Sequence, residues 1–385
     1  MKFSPLFLVF TFNLIFSQPS TVTDSLIIQN GNQRILEHLS GIPSGITLGG
    51  YAEMTYNQEL SSVGELDVKR LVMLFGYKFD DRTQFVTEIE FEHVSQVFVE
   101  QAFLNYTLAD GINLRGGLML VPMGIINEYH EPTTFNGVER PGIDYSLIPT
   151  TWRELGIGIS GRLDLLSLRY QAYLFNGFLS YTDERGGILS GKNALRSGRQ
   201  KGIQSVMNSP TFSAKVDYYG VPGLRLGFAY YGGPTQSVTS KDFIEGSVVG
   251  INMFGLDARL RLNKFSSRAQ WLVASLSNTF NYNTINNQDL GSRLSGYYLE
   301  MAYNVLPTES KQRLDTFVRY EDFNTHSKVV APRLENPLYH RKEWTFGFSY
   351  HLSQGTVVKT DYQRKTTAQN IDPYGQWNVG IGVWF

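Results

Sequence analysis

The chain has 385 residues, a formal net charge of −1, no cysteine and a mean hydropathy of −0.20. The charge argues against nucleic acid as a partner, because phosphate binding demands a basic excess. Without cysteine there are no disulfide staples, thiolate metal centres or thiol nucleophiles, and the low hydropathy excludes a helical membrane bundle.

In chain order, Met1 and Lys2 precede an apolar run from Pro5 to Phe16, with the small Ser17 before Gln18. This is the pattern of a secretory signal peptide over residues 1–17. About 12 apolar residues cannot cross a hydrocarbon core that needs about 20, so an anchor is disfavoured. Residues 18–45 read as a periplasmic segment ahead of the main fold; Gln33 to Leu39 has the pattern of one amphipathic turn, too short for a plug domain.

From Ile46 to Phe385 the chain divides into sixteen segments of about ten residues with alternating polarity. In the first, Leu48, Ala52, Met54 and Tyr56 share one face while Thr47, Tyr51, Glu53 and Thr55 share the other. In the third, Phe85, Ile89 and Phe91 oppose Gln84, Glu88, Glu90 and Glu92. Further along, Phe254, Leu256 and Leu260 oppose Asp257, Arg259 and Arg261, and Trp344, Phe346 and Phe348 oppose Thr345 and Ser349. Turning the polar faces outward would place Arg in lipid at about 2–4 kcal/mol each near the midplane, so they are expected to line an interior. The 25 Phe, 22 Tyr and 37 Gly suit aromatic girdles and close strand packing.

Connections alternate between short turns, such as Asp80-Asp81-Arg82 and Asn263-Lys264, and long loops: Gly124 to Thr150, Leu179 to Ser209, Gly232 to Gly246, Asn278 to Arg293, Asn324 to Arg341 and Thr366 to Gln376. That rhythm predicts an all-β, transmembrane, antiparallel up-and-down barrel of 16 strands, spanning residues 46–385. The last segment, WNVGIGVWF from Trp377 to Phe385, must pair and is expected to close the barrel against the first strand. A barrel of 16–18 strands leaves an aqueous channel, so solute passage is the expected activity.

The stretch Leu120 to Gly158 is dense in Pro, Gly, Asn and charge, as an ordered loop would be. Four motifs, GYAEMTYN from Gly50, FVTEIEFEH from Phe85, GLMLVPMGIINEYHEPTTFNGVERP from Gly117 and PTTWRELGIG from Pro149, resemble the phosphate-selective porin O and P family, particularly its Bacteroidetes-type outer-membrane versions. The resemblance is close from Gly49 to Phe178. It implies a third loop folded into the barrel, a homotrimer of separate pores, and Glu128, His130, Glu131, Glu139 and Arg140 near the constriction. It further implies residence in a Gram-negative outer membrane, lipid and lipopolysaccharide as neighbours, and delivery by the barrel assembly machinery, with the terminal Phe385 as the assembly signal.

On the inward face, the alternation predicts Arg70, Glu88, Glu90, Glu92, Arg115, Arg169, Arg259, Arg261, Arg319, Glu321 and Lys359 as pore-lining residues. Counted over all strands, inward basic and acidic residues are equal in number, so no phosphate specificity is read from the wall although its solutes can include anions. Glu88, Glu90 and Glu92 repel one another unless neutralised, and Arg70, Lys78 and Arg115 are the candidate partners. The phase of Val97 to Thr107 is ambiguous, which leaves the side of Glu100 open. Glu128, His130 and Glu131 offer carboxylate and imidazole, but their spacing matches no recognised ligand set, so no metal and no cofactor is expected. The six histidines are scattered and no G-x-S-x-G elbow occurs, so no catalytic set is read and the chain is not expected to be an enzyme. Arg185 to Lys201 carries five basic and no acidic residues and is read as a solvated loop. The expected function is passive diffusion of small hydrophilic solutes or ions; the alternative is a structural or adhesive barrel with a plugged lumen.

Overall fold

The computed structural model describes residues 29–60, 62–239, 244–369 and 374–385; the signal-peptide reading lies outside them. Sixteen strands close into one antiparallel barrel. They are β1 (Gly45–Glu59), β2 (Glu65–Lys78), β3 (Thr83–Glu92), β4 (Gln96–Ala109), β5 (Ile112–Leu120), β6 (Arg153–Leu163), β7 (Leu168–Phe175) and β8 (Thr211–Val221) in the first half. The second half holds β9 (Leu224–Pro234), β10 (Gly250–Leu262), β11 (Phe265–Ser277), β12 (Arg293–Asn304), β13 (Arg313–Lys328), β14 (His340–Ser353), β15 (Thr356–Thr367) and β16 (Tyr374–Trp384). Closure is by β1 against β16, with Tyr51 opposite Trp384. Phe385 continues the ladder, its N–H donating to the Gly50 carbonyl and its own carbonyl accepting from Gly50, both at 2.9 Å. Neither sheet edge is left open, which is how a barrel avoids edge pairing with other chains.

The alternation has the phase expected from sequence. Leu48, Met54, Phe254, Leu256, Phe346, Phe348, Val379 and Ile381 are exposed on the outside, whereas Glu53, Thr55, Glu88, Glu90, Thr345 and Asn378 are buried inside. Such a continuous apolar exterior far exceeds what a soluble surface carries, and marks a transmembrane barrel. Outward rings meet across and along the strands, Tyr320 of β13 tilted on Trp344 of β14 at 4.6 Å and Trp344 stacked on Phe346 of the same strand at 5.8 Å between centroids, as in an interfacial girdle. Loop boundaries differ by a few residues: β9 runs on to Pro234 and β13 to Lys328, so the connections placed from Gly232 and Asn324 start later. His340 and Arg341 likewise already belong to β14.

The interior is where the structure departs most from the simple alternation. Residues 121–152 between β5 and β6 fold into the lumen and are buried along nearly their whole length. The segment presents Ile125, Ile126, Ile143, Leu147 and Ile148 to inward apolar residues of the wall, including Met253, Leu272 and Ala274. Strands β9 to β11 are therefore apolar on both faces toward the long-loop end: Tyr231, Ile251, Met253 and Leu276 point inward and are buried. A wall in contact with a packed loop needs no hydration, so alternation is lost there.

A helix, α1 (Gly31–Ser40), longer than the single turn expected, occupies the short-turn end. Asn30 caps it by accepting from the Gln33 N–H at 3.0 Å. Ile35 and Leu39 are buried against the inner wall, where Gly49 and Gly76 leave room for them. Lys78 secures the following chain by donating to the Ile42 carbonyl at 2.6 Å. The long-loop end is covered on one side by residues 176–210 and by α3 (Thr279–Asn286), whose Tyr282 hydroxyl accepts from the Leu189 N–H at 2.7 Å.

Candidate functional site

Open space in the lumen is divided by the inward-folded loop. Above it, toward the long loops, lies a vestibule of about 790 Å³. Toward the short turns there are two small cavities of about 70 and 30 Å³, the second beside α1. The vestibule shares no lining residue with either.

Of the five loop residues expected at a constriction, only Glu139 and Arg140 line the vestibule. Glu139 is held by Lys69 at 2.6 Å and by Asn57 at 2.9 Å, while Arg140 reaches back to the His130 carbonyl at 3.5 Å. Glu128, His130 and Glu131 are buried and anchor the loop instead. Glu128 accepts from Lys215 at 2.6 Å and Gln171 at 2.7 Å. Glu131 accepts from the Gly31 N–H, tying the loop to the first turn of α1, where a carboxylate meets the positive end of the helix dipole. His130 faces Glu88 and Glu100; burial opposes its charge, but those two carboxylates outweigh it and raise the imidazolium to about 10.

The predicted wall residues separate in the same way. Arg70, Glu90 and Glu92 line the vestibule. Arg70 pairs with Glu53 at 2.7 Å and approaches Glu90 at 3.8 Å, so it is the partner found for the glutamate row. Glu88 is met by Tyr51 and Gln101, and Arg115 turns to Asn105 at 2.8 Å. Arg115 and Arg169 line the small cavity beside α1, and Arg259 and Arg261 line the other. Arg319, Glu321 and Lys359 hold the loop: Arg319 donates to the carbonyls of Asn136 and Glu139, Glu321 accepts from the Ile143 N–H, and the Lys359 ammonium sits 3.8 Å from the Phe135 ring centre. Inward charged residues of this barrel thus include brackets for the loop as well as walls facing open space.

Two residues missed from sequence dominate the vestibule's upper side. Arg196 and Arg199 come from the basic segment read as solvated, yet that segment folds inward. Arg196 donates to the Thr150 carbonyl at 2.8 Å and stacks its guanidinium 3.8 Å from the Tyr145 ring centre. Arg199 donates to the carbonyls of Pro149, Thr150 and Thr151 at 2.9 to 3.2 Å. Those carbonyls satisfy hydrogen bonds but supply no counter-charge. Burial, Arg196 and Arg153 together push Arg199 down to about 9, the mark of crowded positive charge. The two arginines three residues apart within the acid-free basic run were the available signal.

The vestibule as a whole carries nine lysine or arginine side chains against six carboxylates. One of the six is Asp144, on the short α2 (Ile143–Ser146), fully buried and bonded to Gln270 at 3.1 Å. Burial pushes its carboxyl up to about 7. Below that pH Asp144 is neutral and the vestibule becomes more positive; above it the charge returns. The passage of anions relative to cations is therefore expected to rise as pH falls from 8 to about 6, and Asp144→Asn to remove that step. Reversal potentials measured across the pH range check this, and an identical step in the variant would dismiss Asp144 as its source.

No model of a known protein family matches the chain. A protein of Aquifex aeolicus (strain VF5), described as uncharacterized, is 32% identical over 342 residues, covering 84% of this chain and 76% of that protein. Among solved structures, OmpF of Salmonella typhi in complex with daunomycin matches with a TM-score of 0.59 at 13% identity, over 88% of this chain and 97% of that one. An anion-selective porin from Comamonas acidovorans matches at 0.56 and 13% identity, over 89% and 100%. The trimer form of OmpT, an outer membrane protein of Vibrio cholerae, matches at 0.56 and 10% identity, over 89% and 100%. At these identities the likeness is one of fold, the sixteen-stranded porin barrel.

Proposed function

The chain belongs to the same family as the Aquifex aeolicus protein, and we propose that it is an outer-membrane porin, a passive diffusion channel that favours small hydrophilic anions. The observation that carries this reading is the vestibule, with its nine basic against six acidic side chains and the inward Arg196 and Arg199. A cleft lined by an excess of one sign concentrates the opposite ion at its mouth, and a ring of arginine admits anions over cations. No bond is broken; selection is by width and field. Equality of charge along the strands conceals this excess, because much of it comes from the loops. The porin fold of the matched structures supports outer-membrane residence, and the trimer form of the Vibrio protein supports a homotrimer. Phosphate is one member of the anion class, and nothing in the vestibule singles it out.

A second reading, a barrel with a plugged lumen, is favoured by α1 and by the separation of the vestibule from the two lower cavities. The two are distinguished by purified protein in planar bilayers under a salt gradient. Open-current steps with a reversal potential of anionic sign support the channel. Cation preference would overturn the selectivity, and absence of steps that appear only after removal of residues up to Gly41 would make the plug the resting state.

A further inference from the structure

His130, Glu88 and Glu100 form a buried cluster of an imidazole and two carboxylates apart from the vestibule lining. Their ligand atoms all lie within 4.8 Å of one another. His130 Nε2 is 3.3 Å from Glu100 Oε2 and 3.6 Å from Glu88 Oε1. All three residues are buried, Glu100 completely and His130 to 2% exposure. Among the described residues, neither His130 Nε2 nor either oxygen of Glu100 has a hydrogen-bond partner.

The local structure aims these atoms at one point. In the ladder between β3 and β4, Glu88 faces Gln101 and Ile89 faces Val99, so Glu100 is the extra residue of a β-bulge. A bulge lets consecutive side chains share a face. Glu100 and Gln101 are accordingly both buried on the inside; this is why the alternation left the phase of this strand open. His130 has its other nitrogen, Nδ1, 3.2 Å from the Asn127 carbonyl, which accepts the Nδ1 proton. Nε2 then points at two carboxylates, and three such polar atoms converging in a buried space need a cation among them, either a proton on Nε2 or a metal ion.

We propose that Glu88, Glu100 and His130 bind a divalent transition-metal ion of the zinc type, which clamps the inward-folded loop to the wall at β3 and β4. A tetrahedral ion about 2.0 Å from each ligand needs ligand atoms roughly 3.3 Å apart, close to the two distances at His130. Two carboxylates and a neutral imidazole balance the charge of a divalent ion. The surrounding shell is that of a metal site: the Asn127 carbonyl fixes the imidazole tautomer, the Tyr51 hydroxyl donates to Glu88 Oε1 at 3.0 Å, and Gln101 donates to Glu88 Oε2 at 2.6 Å. Mixed carboxylate and imidazole donors suit zinc, iron(II) or manganese over calcium. Arg153, which lines the vestibule, stands 3.8 Å from Glu100 Oε1, so the cluster lies next to the vestibule wall. The sequence places Glu128 and Glu131 beside His130, but the structure directs them to Lys215 and Gly31; the ligands come from strands some thirty to forty residues away.

The test uses full-length protein purified in detergent and stripped with a chelator. Zinc is titrated by calorimetry and cobalt(II) by visible absorption, with circular dichroism to verify the barrel in every variant. One zinc per chain and intense tetrahedral cobalt bands are expected. Glu100→Gln and His130→Gln should each weaken zinc by more than about 100-fold, the upper range for outer-shell losses alone, while Glu139→Gln leaves it unchanged. If the stripped wild-type barrel takes up no zinc, iron(II) or manganese at millimolar metal, or if Glu100→Gln binds as tightly as wild type, the proposal is wrong and the cation at Nε2 is a proton.

Discussion

Replacing Arg196 and Arg199 together by glutamate is expected to reverse the anion preference proposed for the pore. The change converts nine basic against six acidic vestibule residues into seven against eight. A unit charge about 8 Å from a passing ion acts with roughly 0.5–1 kcal/mol at an effective dielectric of 40–80. Four charge units then amount to about 2–4 kcal/mol for each ion, and screening over a Debye length of about 10 Å at 0.1 M salt leaves about half of that. Each ion's partitioning therefore shifts by about 5- to 30-fold, in opposite directions for anion and cation, so the anion-to-cation permeability ratio should fall by about 30-fold or more, 1.4 kcal/mol being a factor of ten. The effect should fade at 1 M salt, where the Debye length is about 3 Å. Glutamine at both positions should give an intermediate ratio. Reversal potentials in a potassium chloride gradient read all three proteins. An unaltered ratio at low salt would mean that permeating ions do not pass this rim.

The second large effect is expected at Trp152. Its indole is fully buried where the inward-folded loop rejoins the wall, 4.7 Å from the Phe178 ring and 4.5 Å from that of Tyr231. Its Nε1 donates to Glu154 Oε1 at 2.9 Å and its backbone N–H to Asn127 Oδ1 at 2.7 Å. Trp152→Ala removes the aromatic centre of that cluster and takes one donor from a buried carboxylate, a loss of about 3–5 kcal/mol by analogy with large aromatic truncations. The strand ladders are untouched, so the loss falls on the loop and on residues 176–210 above it. Expected are a barrel that still assembles, a lower denaturation midpoint, and larger, noisier single-channel currents. A variant with wild-type midpoint and conductance would show that the loop is held elsewhere.

These two sites differ in how far they could be read from the chain. Trp152 lies in PTTWRELGIG, one of the stretches carrying the family resemblance, but nothing in its neighbours identifies Phe178 and Tyr231 as its partners. Arg196 and Arg199 were visible as a basic run, and a basic run on a loop is ordinarily solvated; only the docking of that loop on Pro149 to Thr151 turns it into part of a vestibule. Equal numbers of inward acids and bases on the strands showed no net field, and many of those residues, among them Lys215, Glu300, Arg319, Glu321 and Asp361, are consumed in holding the loop.

The alternation of Leu48, Met54, Phe254 and Phe346 with Glu53, Asp257 and Thr345, the loop rhythm and the terminal strand determined a closed sixteen-stranded barrel without any knowledge of tertiary contacts. Period-2 patterning is local, and burying charge in lipid is costly enough to leave one solution. What fills the barrel was decided only by the tertiary structure. The bulge at Glu100, the seating of Ile35 and Leu39 in the lumen, and the meeting of His130 with Glu88 and Glu100 depend on contacts between residues far apart in sequence. Such contacts carry no periodicity, and a charged side chain on an inner face reads the same whether it meets water, another chain segment or a metal ion.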